Sequence, residues 1–443
     1  MPPTPNTPSL YPFTPKSSYT PGIQAMISKL KNDLARLLRK TEKYTKTDMV
    51  AFFVANFWIN IGRVISIATG MLLTVGFANL LTPEQFGTYK YVIALAGTIG
   101  AFSLHGMSGA LMRALAQGKK HVIPGVVNAA MLWSVPASIL TLAVSAYYFY
   151  QGNEQLGFAL VFVAAANTLG NGYGLSKSIL LALGDFKRNT IVSVPRTLFP
   201  VVCVLAALTL TQNVTWVLFA YFTSNTLAAF IQYRWSLRDL KVVGSNKDVS
   251  ETVTYSKHLS LVGFFVLISG QIDQLLLFHF TGAAPLALYA LALAPIKEVR
   301  NLLDNILLIA FPKIAARTEA EVRQTMALRI KQLLILSLLA VMGYILLVPF
   351  LFKYLFPKYI AAIFITQILS ITLLFQWRGL IDTFILTHGM VKKRYIAILS
   401  SQAIEFLLFC TLIPLFGLWG AIAATVLSEA VAALSIYLVY KMR

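Results

Sequence analysis

A polar stripe that ends in a cation interrupts the first long apolar stretch of this 443-residue sequence. Asn56, Asn60 and Arg63 recur at i, i+4 and i+7, so a helix would place all three on one face. A guanidinium group stays charged, and its planar fork can donate two hydrogen bonds to a phosphate. The stripe therefore predicts an anion-binding face. The competing interpretation is an arginine that pairs with a carboxylate or with carbonyl groups for structural reasons.

Further cations lie in other apolar stretches, where an ionisable residue usually faces a cavity or a partner. Lys90 begins the second stretch, from which its long side chain could also extend to the membrane interface. Lys297 and Arg300 lie in the middle of the eighth stretch, and we expect one of them to line a cavity. Arg300 and Asp304 are spaced at i, i+4, so part of this group is expected to neutralise itself.

Asp273 is the strongest acidic candidate, because no cation lies four residues before or after it. A carboxylate in an apolar stretch can bind and release a coupling ion, or it can hydrogen-bond to a polar neighbour on another helix. Glu405 and Glu429, in the last two stretches, are weaker candidates of the same kind. Arg378 and Asp382 form another i, i+4 pair, and there we expect the two residues to pair with each other.

Signatures of enzymes and metal sites are missing from the sequence. It has no glycine-rich phosphate loop, no His/Glu metal spacing and no nucleophile elbow, and its five histidines are scattered. Cys203 and Cys410 both lie in apolar stretches and have no metal-ligand spacing. We therefore expect no catalytic residues, no cofactor and no metal site.

The composition of the chain indicates the environment of these residues. The chain is 57% hydrophobic and only 12% charged, with a mean hydropathy of +0.70, whereas soluble domains carry about 25% charged residues. Its apolar stretches are long enough for membrane-spanning helices. The net charge of +20 is concentrated in alternate loops, as the positive-inside rule requires, so we expect no nucleic-acid partner. The predicted class is an all-α polytopic membrane protein with both termini in the cytoplasm.

The sequence divides into five predicted segments. They are a disordered proline-rich tail (1–22), a basic amphipathic cytoplasmic helix (23–48), a six-helix lobe (49–236), a cytoplasmic linker (237–256) and a second six-helix lobe (257–443). The amphipathic helix would rest on an anionic leaflet, or it is a solvated connector that packs on a loop. The predicted membrane helices span 50–79, 86–108, 122–149, 156–183, 189–211, 214–236, 257–280, 285–311, 329–353, 358–387, 394–414 and 417–440.

Short motifs of the first half return in the second half in the same order. Leu81–Tyr89 has a weak echo in Thr281–Tyr289, and Arg113 has its counterpart in Lys313. Leu180–Arg188 returns as Leu386–Arg394, and Ser224–Phe230 returns as Ser428–Leu434. Two similar bundles in parallel orientation are a common architecture of alternating-access transporters, with the substrate site between them.

The same motifs carry a family resemblance. The segments Phe77–Tyr89, Gly106–Arg113, Gln271–Asp273, Gly282–Tyr289 and Phe311–Lys313 resemble those of bacterial polysaccharide flippases. These belong to the superfamily of multidrug, oligosaccharidyl-lipid and polysaccharide (MOP) exporters, and the resemblance covers about residues 45 to 443. It implies about twelve membrane helices in two six-helix lobes, which form a V around a central, often cationic cavity.

The resemblance also implies a function. It implies that the protein moves an undecaprenyl-diphosphate-linked oligosaccharide, a polysaccharide repeat unit, from the cytoplasmic to the outer leaflet of the inner membrane. Arg63, Lys90, Lys297 and Arg300 would then hold the diphosphate or acidic sugars, with Asn56 and Asn60 beside Arg63. Asp273 would bind a coupling cation, a proton or sodium. Polysaccharide polymerases or glycosyltransferases are the implied protein partners.

Other functions stay open at this point. A cation-coupled multidrug exporter of the same superfamily would need acidic residues facing a cationic substrate, whereas the candidate in the first helix is Arg63. A flippase of a lipid-linked peptidoglycan precursor is a further possibility. A membrane glycosyltransferase or polymerase is disfavoured because the predicted external loops are very short.

Overall fold

A computed structural model describes residues 49–211, 213–238, 240, 248–315 and 318–441. The predicted proline-rich tail and amphipathic helix, and most of the predicted linker, lie outside the described residues. The described residues form helices joined by short turns, with no β-strand among them. The predicted all-helical class is confirmed.

The described residues of the first half form nine helices, some of which are successive pieces of one predicted membrane helix. They are α1 (Met49–Leu80), α2 (Pro83–Gly100), α3 (Met107–Ala116), α4 (Ile123–Leu132), α5 (Val135–Tyr150), α6 (Glu154–Tyr173), α7 (Ser176–Ala182), α8 (Phe186–Leu210) and α9 (Val214–Leu237). A new helix starts at Val135 because Pro136 has no backbone N–H and is best accommodated in the first turn.

The described residues of the second half form six helices. They are α10 (Val249–Thr281), α11 (Ala283–Ala315), α12 (Glu319–Leu355), α13 (Ala362–Leu369), α14 (Arg378–Thr387) and α15 (Val391–Lys441), with a 3₁₀ segment (Ser370–Phe375) before α14. The first of them begins at Val249, inside the predicted linker, rather than at residue 257. Asp248 has a positive φ of 65° there and separates the helix from the preceding chain.

The last element, α15, is a helical hairpin rather than one straight helix. Gly417 has φ 58° and ψ −128°, which is a left-handed conformation that favours glycine. A Cβ placed on Gly420 would lie 1.9 Å from the carbonyl oxygen of Leu412. Residues eight apart in a straight helix are separated by about 12 Å, so the chain must turn back at Gly417. The predicted boundary between the last two membrane helices coincides with this turn.

The described residues contain nine stretches that are long and apolar enough to cross a membrane. One of them, Lys392–Lys441, contains the hairpin and therefore supplies two crossings. The α2–α3 segment and α11 are not among the nine; α11 carries four charged residues between 297 and 304. With these two segments included, the helices account for the predicted twelve crossings, and the protein is a multi-pass membrane protein.

The two halves meet along α2. At its start, α2 contacts α11 so closely that a Cβ on Gly87 would lie 1.8 Å from the carbonyl oxygen of Ala283. Further along α2, the ring of Tyr91 stacks on Phe278 of α10 with centroids 3.9 Å apart. Beyond α2, the backbone N–H of Gly106 donates to Ser260 Oγ of α10 at 2.9 Å. The halves are therefore in contact near both ends of this segment.

An ion network joins the halves at the end with the basic loops. Lys119 Nζ lies 3.3 Å from Asp248 Oδ1 and 2.9 Å from Glu251 Oε2, and His121 Nε2 lies 3.0 Å from Asp248 Oδ2. Partial burial would raise the pKa of Asp248, but hydrogen bonds from His121 and Lys119 outweigh it and lower that pKa below the usual value. Asp248 is therefore ionised at neutral pH.

At the opposite end, Lys358 is a basic residue on the side that otherwise lacks Lys and Arg in its loops. Its Nζ donates to the backbone oxygen of Asn79, near the end of α1, at 2.6 Å. The Asn79 side chain donates to the backbone oxygen of Leu355 at 2.8 Å. A cation at a helix C-terminus is favourable because the last carbonyl groups carry partial negative charge. The charge of Lys358 thus has a structural partner, which explains this exception to the charge rule.

Candidate functional site

Two arginines flank one carboxylate in the interior of the second half. Arg300 Nη1 lies 2.7 Å from Glu429 Oε1, and Arg378 Nη1 lies 2.6 Å from Glu429 Oε2. The Glu429 side chain is only 13% exposed, and both arginine side chains are 29% exposed. Three helices, α11, α14 and α15, supply one residue each. We call this group the arginine bracket.

The bracket corrects two of the predicted pairings. Arg378 pairs with Glu429 and not with Asp382, which instead accepts two hydrogen bonds from Arg394 at 2.6 and 3.0 Å. Arg300 likewise pairs with Glu429, although Asp304 still interacts with it electrostatically. In both cases the partner carboxylate lies on another helix rather than four residues away on the same helix.

Arg63 joins this region from the first half. Its Nη2 donates to the backbone oxygen of Asn301 on α11 at 3.1 Å, and it also interacts electrostatically with Asp304. This contact with a carbonyl group matches the structural interpretation of Arg63, while its position beside the bracket matches the functional one. Asn60 is exposed, and the side chain of Asn56 lies outside the described residues.

The two lysine candidates lie in different halves and interact electrostatically. Lys90 on α2 is half-buried, with its Nζ 5.3 Å from the ring centroid of Phe86. Lys297 on α11 is exposed and interacts electrostatically with both Lys90 and Asp273. Two like charges repel each other unless an anion lies between them. The arrangement therefore suits an anionic group that contacts both halves.

Asp273 lies at a junction of three helices. Its Oδ2 accepts a hydrogen bond from the hydroxyl of Tyr289 at 3.0 Å, and that hydroxyl lies 2.7 Å from Thr425 Oγ1. The other oxygen, Oδ1, is buried without a hydrogen-bond partner. Glu405 interacts electrostatically with Asp273 and with the arginine bracket. A carboxylate oxygen and hydroxyl groups in one place are suitable ligands for a proton or a small cation.

The repeated tyrosines have different surroundings in the two halves. Tyr289 is fully buried and hydrogen-bonded to Asp273. Its counterpart Tyr89 packs on aromatic rings, with centroid distances of 4.3 Å to Phe77 and 5.8 Å to Tyr221. The repeat thus keeps the ring in place, while, among the described residues, the hydrogen bond to a carboxylate is found at Tyr289 and not at Tyr89.

The charges in this region are balanced in number. The cations are Arg63, Lys90, Lys297, Arg300 and Arg378, and the carboxylates are Asp273, Glu298, Asp304, Glu405 and Glu429. Sequence reasoning found most of these residues but missed the role of Arg378. The signal was present, since Arg378 and Glu429 are opposite charges in different apolar stretches. Spacing along a single helix cannot show that these two charges pair across helices.

Solved structures with a similar fold are transporters and flippases. The TM-score is 0.69 with the lipid II flippase MurJ in an inward closed conformation, at 14% identity, covering 86% of this chain and 86% of that chain. The TM-score is 0.60 with an outward-facing MATE family multidrug resistance transporter of the MOP superfamily, at 18% identity, covering 88% of this chain and 95% of that chain. A MOP superfamily transporter from Pyrococcus furiosus, described as having a binding pocket of reversed polarity, also has a TM-score of 0.60. Its sequence identity is 18%, and the match covers 88% of this chain and 95% of that chain.

The fold is therefore similar to that of these transporters and flippases. The family model described as polysaccharide biosynthesis protein matches residues 55–316, which is more than half of the chain. The chain belongs to this family. Comparison with curated protein sequences finds no match.

Proposed function

We propose that this protein is a flippase that carries an undecaprenyl-diphosphate-linked oligosaccharide from the cytoplasmic to the outer leaflet by alternating access. Membership of the polysaccharide biosynthesis family supports a glycan substrate. The fold supports alternating access between two lobes. The observation that carries the choice of an anionic substrate is the arginine bracket, because a partly buried pair of guanidinium groups is suited to a diphosphate.

Glu429 lies between the two guanidinium groups, where a substrate anion would bind in this proposal. Each guanidinium group has five N–H donors, and Nε of Arg300 has no hydrogen-bond partner. A diphosphate offers more acceptor oxygens than one carboxylate, so it can bind to the arginines while Glu429 moves aside. Glu429 also competes with the substrate for both arginines. This competition would keep the affinity low enough for release on the outer side.

The lysines would extend the same site toward the first half. Lys90 and Lys297 repel each other, and an anion bound between them would offset that repulsion. Substrate binding would therefore draw α2 and α11 together around the diphosphate. The prenyl chain would stay in the bilayer, as lipid-linked substrates require.

Translocation by purified protein in vesicles tests the proposal. We expect the protein to move a fluorescent undecaprenyl-diphosphate oligosaccharide between leaflets, as measured by the fraction protected from a membrane-impermeant quencher. Protein-free vesicles are the control. Transport of a lipophilic cation instead would support the alternative of a multidrug exporter. Equal transport of lipid II would make the substrate class wider than proposed.

Asp273 is the proposed coupling residue. We expect the Asp273→Asn variant to lose most of the acceleration that an imposed proton or sodium gradient gives to translocation. The reason is that an amide cannot exchange a proton or provide the charge that binds a cation. The measurement is the translocation rate with and without each gradient, at matched protein amounts.

Asp382→Asn is the matched control for this experiment, because Asp382 is also a carboxylate in a membrane segment but pairs with Arg394. We expect its response to the gradients to stay close to that of the wild type. If Asp273→Asn responds to both gradients as the wild type does, Asp273 is not the coupling residue, whatever its effect on the basal rate.

A further inference from the structure

An open cleft of about 870 Å³ lies at one membrane end of the first half. It is bounded by the turn between α5 and α6 and by the turn between α8 and α9. The lining residues are Gln151, Gly152, Asn153, Glu154, Gln155, Phe158, Phe162, Asn213, Thr215 and Trp216. The span Lys120–Tyr150 separates this end from the basic loop at Lys119 and Lys120. The loop charges therefore assign the cleft to the external side.

Aromatic rings form one wall of the cleft. Trp216 is 56% exposed and Phe158 is 52% exposed. Trp216 is supported by Phe219, with ring centroids 5.7 Å apart, and Phe158 is supported by Phe149 at 5.0 Å. Both rings are thus held by neighbouring rings while much of their surface stays accessible. Such rings can pack against the apolar C–H faces of a sugar.

Side-chain amides lie beside these rings in fixed positions. Asn153 Oδ1 accepts from the backbone N–H of Leu156 at 3.1 Å, and Asn213 Oδ1 accepts from the backbone N–H of Thr215 at 2.9 Å. Each asparagine is the N-cap of a helix, so its conformation is set by the fold. Its NH₂ group is not used in the cap and can donate to a ligand. Gln155 adds a further amide to the same lining.

The charge of the lining restricts the ligand. None of the lining residues, all of which the structure describes, is Lys or Arg, and the single charged one is Glu154. A phosphate or an acidic ligand would be repelled there. Hydroxyl groups, in contrast, can donate to Glu154 and accept from the amides. Aromatic rings alone would also fit an interfacial belt, but a belt does not require fixed amide groups beside them.

We propose that this cleft binds an uncharged oligosaccharide on the external side. As part of the exported substrate, this ligand rests on the proposed function, and the cleft would receive the glycan after translocation. The diphosphate would remain with the arginines of the interior, because the cleft has no cation for it. The cleft is thus a second, sugar-specific site, separate from the arginine bracket.

Binding of soluble oligosaccharides tests this site without any transport step. Full-length protein in nanodiscs is titrated with uncharged malto-, chito-, manno- and galacto-oligosaccharides. We expect at least one series to bind, and its binding to be about tenfold weaker or more in the Trp216→Ala variant. Trp419→Ala is the matched control: Trp419 is a 53% exposed tryptophan at the hairpin of α15, outside the cleft, and its loss should leave binding unchanged.

Further variants keep the test valid if Trp216→Ala is unstable. Trp216→Phe keeps an aromatic ring and should retain part of the binding, and Gln155→Ala should weaken binding without changing the melting temperature. The proposal is overturned if none of the four series binds, or if Trp216→Ala and Trp419→Ala bind alike. A protein that translocates the lipid-linked substrate but binds no soluble glycan would contradict the cleft alone. A protein that binds soluble glycan but does not translocate the lipid-linked substrate would contradict the proposed transport and still support a glycan site in the cleft.

Discussion

Replacing Arg300 with alanine is expected to lower the rate of lipid-linked oligosaccharide translocation by about 10- to 100-fold, since hydrogen bonds to charged groups contribute about 1.5–3 kcal/mol. Arg300 is one of the two guanidinium groups that flank Glu429, and its Nε is free to bind the substrate. The rate is measured in vesicles with a fluorescent undecaprenyl-diphosphate oligosaccharide. Arg300→Lys should recover part of the rate, because it restores the charge but not the planar fork.

The variant must be separated from a simple loss of stability. Removing one partner of a buried ion pair can destabilise a protein by about 3–5 kcal/mol, although Glu429 here keeps Arg378. Because Arg378 still pairs with Glu429, Arg300→Ala leaves no unpaired carboxylate, and its melting temperature shows whether stability is retained. Arg394→Ala breaks the ion pair with Asp382 away from the bracket and should leave the transport rate near that of the wild type. Wild-type transport by a stable Arg300→Ala protein would contradict the proposed diphosphate site.

Replacing Gly87 with valine is expected to abolish most of the transport by a different route. A Cβ at this position would lie 1.8 Å from the backbone oxygen of Ala283, so α2 and α11 could not approach as they do. Overpacking of this kind costs about 1–3 kcal/mol, which reduces the population of the closed contact by about 5- to 160-fold. The halves should therefore remain apart at the end where α2 begins.

Labelling of a cysteine in the interior measures this change. With Cys203 and Cys410 replaced by alanine, Lys297→Cys should react faster with a membrane-impermeant thiol reagent from the external side when Gly87→Val is also present. Gly270→Ala is the control, because a Cβ at Gly270 has no other atom within 4 Å. Unchanged labelling in the Gly87→Val protein would mean that this contact does not close the external side.

Much of the fold could be predicted from the sequence because its signals are local. The apolar runs and low charge predicted the class, and the predicted boundary between helices 394–414 and 417–440 coincides with the turn at Gly417. The breaks within membrane segments were missed. Residues 101–106 separate α2 from α3 without a proline, so the apolar pattern alone predicted one continuous helix there.

The candidate site was harder to predict because it depends on how each helix is rotated. Spacing along one helix suggested that Arg378 pairs with Asp382, yet its partner is Glu429 on another helix. Local spacing shows which residues share a helix face, but not which face meets a given neighbour. The roles of Arg63, Lys90, Lys297, Arg300 and Asp273 stay predictions, and their positions near one another make them testable together.

The unequal surroundings of Tyr89 and Tyr289 have a consequence for the timing of the cycle. Among the described residues, the hydroxyl of Tyr289 links α10, α11 and α15 through Asp273 and Thr425, while Tyr89 has aromatic neighbours. In the proposed mechanism, an arriving ion would change the packing of three helices in one lobe and leave the other lobe unaltered. The first-half lobe, which contains no proposed ion site, would then keep its packing while the second-half lobe moves. An ion gradient would therefore control when the second-half lobe moves, and not the affinity for the glycan.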